Sequence, residues 1–204
     1  MAKVKAPLFS FSASGKLADS LVYGSWKGLD VVRQYIIPAN PNTSGQVTQR
    51  GYLTDAVAMV QAARVDATHP LDAIDVAAYN RLAGTFGTPR TWFNAFTRIF
   101  VNQRVASLKA AIWRDGTVTP GAGTIDFEVW YTKEGANDLT AANVVYGLTP
   151  TALINTQAVV QAAGHYNFQI AGLTPNITVY FQLRPTAHVD FVGADSGIYT
   201  GKPT

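Results

Sequence analysis

The residues able to do chemistry are few. The imidazoles are His69, His165 and His188, and there is no cysteine. A cysteine nucleophile, a disulfide framework, a thiolate zinc site and an iron–sulfur cluster are therefore excluded. No histidine has a partner at metal-ligand spacing, and no H-E-x-x-H run occurs. His69 precedes Pro70 in a loop and His188 lies near a strand end, so they read as surface or turn histidines. A Ser-His-Asp triad needs a nucleophile beside a tuned base, and no G-x-S-x-G elbow is present. Asp126 and Glu128 are two apart in an alternating stretch, so they share one face of a strand. Such a pair suits glycoside hydrolysis or cation binding. With Ile125, Phe127 and Val129 turned inward, it reads first as the solvent face of a half-buried strand. Glu134, Asp138 and Asp195 are candidates for a loop calcium site, but no D-x-D-x-D-G loop accompanies them. No catalytic residue, cofactor or metal is expected.

Contact chemistry is better represented. Gly24-Ser25-Trp26-Lys27-Gly28-Leu29 lacks the G-x-x-x-x-G-K-[ST] pattern of a phosphate-binding loop and joins strand to strand, so it reads as a tight hairpin. Trp26 in that turn is a candidate intersubunit anchor, since tryptophan buries much area with few rotatable bonds. Tyr23, Trp26, Lys27, Arg33 and Tyr35 are the expected protein-interface residues. The first 54 residues carry six basic and two acidic residues. The basic residues are spread along the chain rather than clustered and belong to no nucleic-acid-binding signature, which favours a protein partner over nucleic acid.

These residues need elements to hold them. Leu21–Trp26 and Leu29–Ile37 are rich in β-branched and aromatic residues and form the hairpin; Pro38 ends pairing. Thr43 with Gln46 fits a capping box opening a helix to about Arg64, broken by Ala67-Thr68-His69-Pro70. A second helix is predicted over Leu71–Ala83, with Asp72 and Asp75 complementing the helix dipole in its first turns. Thr88-Pro89 opens a third, whose Trp92, Ala95, Phe96, Ile99 and Phe100 form one apolar core stripe. From Ala110 onward the pattern is β. A short Ala111-Ile112-Trp113 strand ends at Asp115-Gly116, and strands follow at 124–131, 144–146, 158–161, 166–170, 177–183 and 197–200. Turns every ~8–12 residues argue for an antiparallel sandwich.

Two resemblances go further. Tyr166 to Arg184, with Gly172-Leu173-Thr174-Pro175 and Tyr180, resembles the second half of a fibronectin type III domain, with Ser196-Gly197-Ile198-Tyr199 as last strand and Trp130 as the early tryptophan of the second strand. The N-terminal part is similar to a group of uncharacterised virion proteins of tailed bacteriophages. The motifs are Trp26-Lys27-Gly28, Arg33, Pro38-Ala39-Asn40-Pro41-Asn42-Thr43-Ser44-Gly45-Gln46, Tyr79-Asn80, and Phe93-Asn94-Ala95-Phe96 through Asn102. The second resemblance implies a virion structural component assembled in the host bacterial cytoplasm. Its partners would be capsid or tail subunits and copies of itself, with a weak host-surface contact through the sandwich.

Composition agrees with such a role. Of 204 residues 48% are hydrophobic and 14% charged, against about 25% charged in an ordinary soluble domain. No apolar run approaches the ~18 residues of a membrane span, and no secretory leader pattern follows the basic start. Residues 1–107 hold 11 basic and 6 acidic residues, and 108–204 hold 5 and 7. The expectation is an α+β chain. An N-terminal β-hairpin and three-helix docking domain (1–107) precedes a fibronectin-III-like or Ig-like β-sandwich (108–204). The expected function is a non-enzymatic capsid-decoration, minor capsid or head–tail protein. The alternative is a tail-associated module that binds host glycan or protein. A glycoside hydrolase using Asp126 or Glu128 ranks last.

Overall fold

The computed structural model describes residues 3–4, 13–17, 20–27, 29–37, 42–87, 91–186 and 189–204. By internal contact the chain divides into two units, Met1–Thr43 and Ser44–Thr204. In the first, β1 (Lys3–Val4), β2 (Ala13–Leu17), β3 (Leu21–Trp26) and β4 (Leu29–Gln34) form an antiparallel sheet in that spatial order. The expected hairpin is β3–β4, in register from Leu21 opposite Gln34 to Trp26 opposite Leu29. Lys27 turns the chain at a φ of 51°, in the left-handed region. Beyond β4, the Tyr35 amide still donates to the Ser20 carbonyl at 2.7 Å. Residues 38–41, with the expected proline stop, lie outside the described residues.

The second unit opens with helix α1 (Ser44–Val65), α2 (Ala73–Gly84) and α3 (Trp92–Val105). α1 buries only Ala56, Val60 and Ala63, all in its C-terminal half. α2 starts two residues later than predicted because Asp72 is its N-cap. The Asp72 side chain accepts from the Ile74 and Asp75 amides, and Asp75 returns a bond to the Asp72 amide. Thr91 caps α3 by accepting from the Asn94 amide; Thr88 and Pro89 lie outside the described residues. The predicted α3 stripe is present, with Ala95, Phe96 and Phe100 fully buried.

Two antiparallel sheets follow. β5 (Ala111–Gly121), β6 (Thr124–Lys133) and β9 (His165–Ile170) form one, in the order β5-β6-β9. β7 (Ala141–Gly147), β8 (Asn155–Val160), β10 (Val179–Pro185) and β11 (Tyr199–Gly201) form the other, in the order β11-β10-β7-β8. The three-stranded and four-stranded sheets enclose one core as a β-sandwich. Ile125, Phe127 and Val129 of β6 alternate into its core, facing Val144, Phe181, Leu183 and Tyr199. Two details depart from expectation. β5 does not end at Asp115-Gly116 but passes through it, with the register shifting between Arg114 and Thr117 as a β-bulge. The core tryptophan is Trp113 of β5, fully buried with its indole N–H donating to the Ala194 carbonyl at 2.9 Å; Trp130 is only half-buried. Tyr180 packs against the helices' core.

The helices and the sandwich share a wall. At the start of β5, Ala111 and Trp113 belong to the sandwich core, while Ala110 and Ile112 belong to the helical core with Tyr79, Phe96, Phe100 and Ile198. The run Ala110–Trp113 is thus apolar on both faces because both are covered. The Ile198 amide donates to the Ala78 carbonyl at 3.0 Å. A Cβ on Gly197 would stand 2.7 Å from the Ala78 carbonyl carbon and Tyr79 nitrogen, so only glycine permits that approach. The boundary between the compact units accordingly falls after Thr43, and the composition change at 107/108 lies inside the second unit.

Candidate functional site

The expected interface residues lie in the first unit. Directly opposed residues of antiparallel strands share a face, so the register gives one row, Lys16 opposite Val22 and Val22 opposite Arg33. Arg33 is exposed, and Tyr35 continues its face two residues on. The Lys16 ammonium sits 3.8 Å from the centre of the Tyr35 ring. Gly15, Lys16, Val22, Arg33, Tyr35 and Ile36 line an open concavity of about 780 Å³. Among the described residues nothing stands within 4 Å of a Cβ placed on Gly24, which leaves a notch in the sheet beside Val22. Arg33 and Tyr35 therefore share one face. Tyr23 does not join them, because it pairs with Gly15 and Val32 on the other face. Lys27 is exposed at the turn, and the Trp26 side chain lies outside what the structure describes. Apolar side chains are exposed on both faces and past the end of β4: Val32 at 57%, Ile36 at 70% and Ile37 at 75%.

The second unit gathers polar residues that lie far apart in the sequence. On the outer face of the β5-β6-β9 sheet, the Trp130 indole stacks on His69 at 3.7 Å and on His165 at 4.4 Å between ring centres, at 17° and 22°. Two imidazoles that close and that parallel to one ring would overlap on a single face, so they cover opposite faces of the indole. His165 is the cross-strand neighbour of Trp130; His69 arrives on the α1–α2 loop. His69 Nδ1 is 2.6 Å from Asp115 Oδ2, and His165 Nε2 is 3.5 Å from Glu128 Oε1. Arg114 anchors the loop, pairing with Asp66 at 2.7 Å and donating to the His69 carbonyl. Asp66 accepts the Thr68 and His69 amides at 3.0 and 2.9 Å. These amides, then Arg114, lower its carboxyl to about 2.

Beneath the loop, Asp75 is fully buried. It accepts the Asp115 amide at 2.7 Å, the Gly116 amide at 3.1 Å, the Tyr199 hydroxyl at 2.7 Å and the Asp72 amide at 3.2 Å. The bulge frees two amides from the strand ladder, and Asp75 satisfies both. Burial raises its carboxyl to about 7, against the opposing pull of Tyr199 and the Asp72 amide. Nothing in the sequence marks this role, since Asp75 reads only as a helix-start carboxylate.

As chemistry, the cluster is a clamp. His69 has one nitrogen on Asp115 and one face on Trp130, and among the described residues no hydroxyl hydrogen-bonds to it. Asp126 and Glu128 share the outer face as expected, but Asp126 accepts from Gln169 at 2.8 Å while Glu128 pairs with His165. Glu134 takes the Ala110 amide, Asp138 the Tyr131 hydroxyl and Asp195 pairs with Arg184, so these three are engaged separately. His188 lies outside the described residues. Among the described residues no three metal-ligating side chains converge, and no helix is long and apolar enough to cross a membrane. No family model matches the chain, and no curated protein or solved structure matches it either.

Proposed function

We propose that this chain is a non-enzymatic structural component of a tailed-phage particle, attached through residues 1–43 and carrying the 44–204 body. The observation behind this reading is the four-stranded first unit with apolar side chains exposed on both faces of β4 and past its end. Burying such exposed apolar side chains against a partner is favourable. β4 is also an edge strand, and exposed edges invite strand addition. The phage-like N-terminal motifs point to the particle as the place where that cover is supplied. Deleting residues 1–43 removes one unit whole. The 44–204 product should stay folded, as judged by circular dichroism, and fail to enter particles. Normal incorporation of the folded truncation overturns the proposal.

A second reading, recognition of a host surface, draws on the sandwich tip. A concavity of about 280 Å³ is lined by Tyr146, Leu148, Leu173 and Ile177, and Leu148 and Ile154 are 65% and 83% exposed. The exposed side chains there are aliphatic, which fits protein contact better than stacking on sugar rings. Binding of the 44–204 product to host cells, lost with Leu148→Asp, would favour this reading.

A further inference from the structure

We propose that the sandwich pairs with a second copy of this chain through β8, antiparallel, so that the four-stranded sheets of two chains run on as one. The interface lies on the second unit and is independent of docking through residues 1–43.

β8 is the outer strand of its sheet. One bond fixes the direction of its backbone groups. The Gln161 amide donates to the Thr140 carbonyl at 3.0 Å, and in an antiparallel ladder every second residue points the same way. Asn155, Gln157 and Val159 are therefore bonded to β7. Thr156, Ala158 and Val160 turn their N–H and C=O groups to the open side, and among the described residues none of those groups has a partner. Edge strands are usually guarded by a charge, a proline or a bulge. Ile154 to Val160 contains no charged residue and no proline, and β8 pairs with β7 without a shift of register.

The side chains select the partner. Val159 is buried in the core, so Thr156, Ala158 and Val160 stand on the outer face, all exposed. Ile154, two residues before Thr156, extends the row. Ile154 and Val160 are 83% and 72% exposed. With a two-fold axis at Gln157, the strand sets Ile154 opposite Val160 of the second copy and Thr156 opposite Ala158, and the reverse. Both are hydrogen-bonded pairs, which exchange their N–H···O bonds. The two most exposed apolar side chains of the strand cover each other, and no charge meets a like charge. The small side chains of Thr156 and Ala158 let the centre close. A strand of another protein would need this same pattern, which a second copy supplies by symmetry.

The test uses the full chain, which has no cysteine of its own. Gln157 falls on the axis, opposite the second copy's Gln157 in a non-hydrogen-bonded pair with ~4.5 Å between Cα atoms. A disulfide spans that distance. Gln157 also donates to the Gln169 carbonyl at 3.0 Å, so folding of its variant is checked by circular dichroism. Folded Gln157→Cys should form a crosslinked dimer under mild oxidation. Ala158→Cys, whose two copies lie diagonally at ~8 Å, should not. The wild-type chain should sediment as a dimer at ~1 mM. Ala158→Lys, at an exposed position, should keep the wild-type dichroism and weaken the dimer at least tenfold. A wild-type chain that is monomeric at that concentration overturns the proposal. So does a dimer that Ala158→Lys leaves intact, which places the contact elsewhere. Crosslinking that is absent in folded Gln157→Cys, or stronger in Ala158→Cys, overturns it as well.

Discussion

Asp75 shows how much one side chain can hold. Its four donors come from three places in the chain: the α2 cap, the β5 bulge and Tyr199 of β11. Every neighbour donates, so an amide in its place turns N–H groups against N–H groups whichever way it is oriented. Asp75→Asn should therefore cost about 2–3 kcal/mol, by leaving at least one buried donor unpaired. Asp75→Ala should cost about 3–5 kcal/mol. The pH dependence has a definite sign. The carboxyl lies at 3.8 in the unfolded chain and about 7 in the folded one. Between those values the native state keeps a proton that the unfolded state has lost. Stability should then fall as pH rises from about 4 to about 7, by on the order of 3 kcal/mol, and level off above. Urea melts of the wild type across that window check the slope, and Asp75→Asn should flatten it. A wild-type slope of the opposite sign in that window would refute this role for Asp75. The sequence displays Asp72 and Asp75 as good helix-start residues, and both are. It does not display the tertiary task of Asp75, because the two amides it serves lie forty residues on, in an Asp-Gly pair that equally suits a turn.

At the scale of elements, local signals were legible and long-range ones were not. The α3 stripe, the β3–β4 hairpin and the β6 alternation depend on neighbours in sequence, and all are present. The bulge in β5 and the stack on Trp130 depend on segments far apart, which periodicity does not report. Trp130 looks like a core residue by type, yet Val129 and Tyr131 face the core and Trp130 alternates outward between two histidines. The stack pins the α1–α2 loop to the sheet. His69→Ala removes one stacking face and the Asp115 bond, and should cost about 1–2 kcal/mol. It should also speed proteolysis and amide exchange across residues 66–70. Unchanged loop exchange would show that Arg114 and Asp66 suffice to hold it. α1 is divided in the same physical sense. Ser44–Gly51 is exposed, whereas burial begins at Ala56. An isolated helical stretch that short has little stability of its own. In the free chain the amides of residues 48–54 should exchange faster than those of 58–64, which are held by packing.

At the scale of the molecule, the low charge acquires two explanations. Part of it comes from a second unit whose helices and sandwich cover each other along β5. The rest comes from a first unit whose apolar side chains are exposed at β4 and just beyond it, the surface that the proposed docking would cover. The shared wall has a consequence for how the second unit unfolds. Removing the helices would bare Ala110, Ile112 and Ile198, all now buried. It would take away the Tyr79 hydroxyl that receives the Trp113 amide. It would also strip the bulge amides of Asp75. A sandwich cut out as 108–204 should therefore be poorly soluble or only partly folded, although its strand topology is complete. The 44–204 product should instead unfold in a single transition, with tryptophan fluorescence and far-ultraviolet dichroism giving coincident denaturant midpoints. Gly197→Ala, which drives a methyl group into the backbone of α2, should lower both midpoints together. If it lowered the helical signal alone, the helices and the sandwich would be separate cooperative units after all.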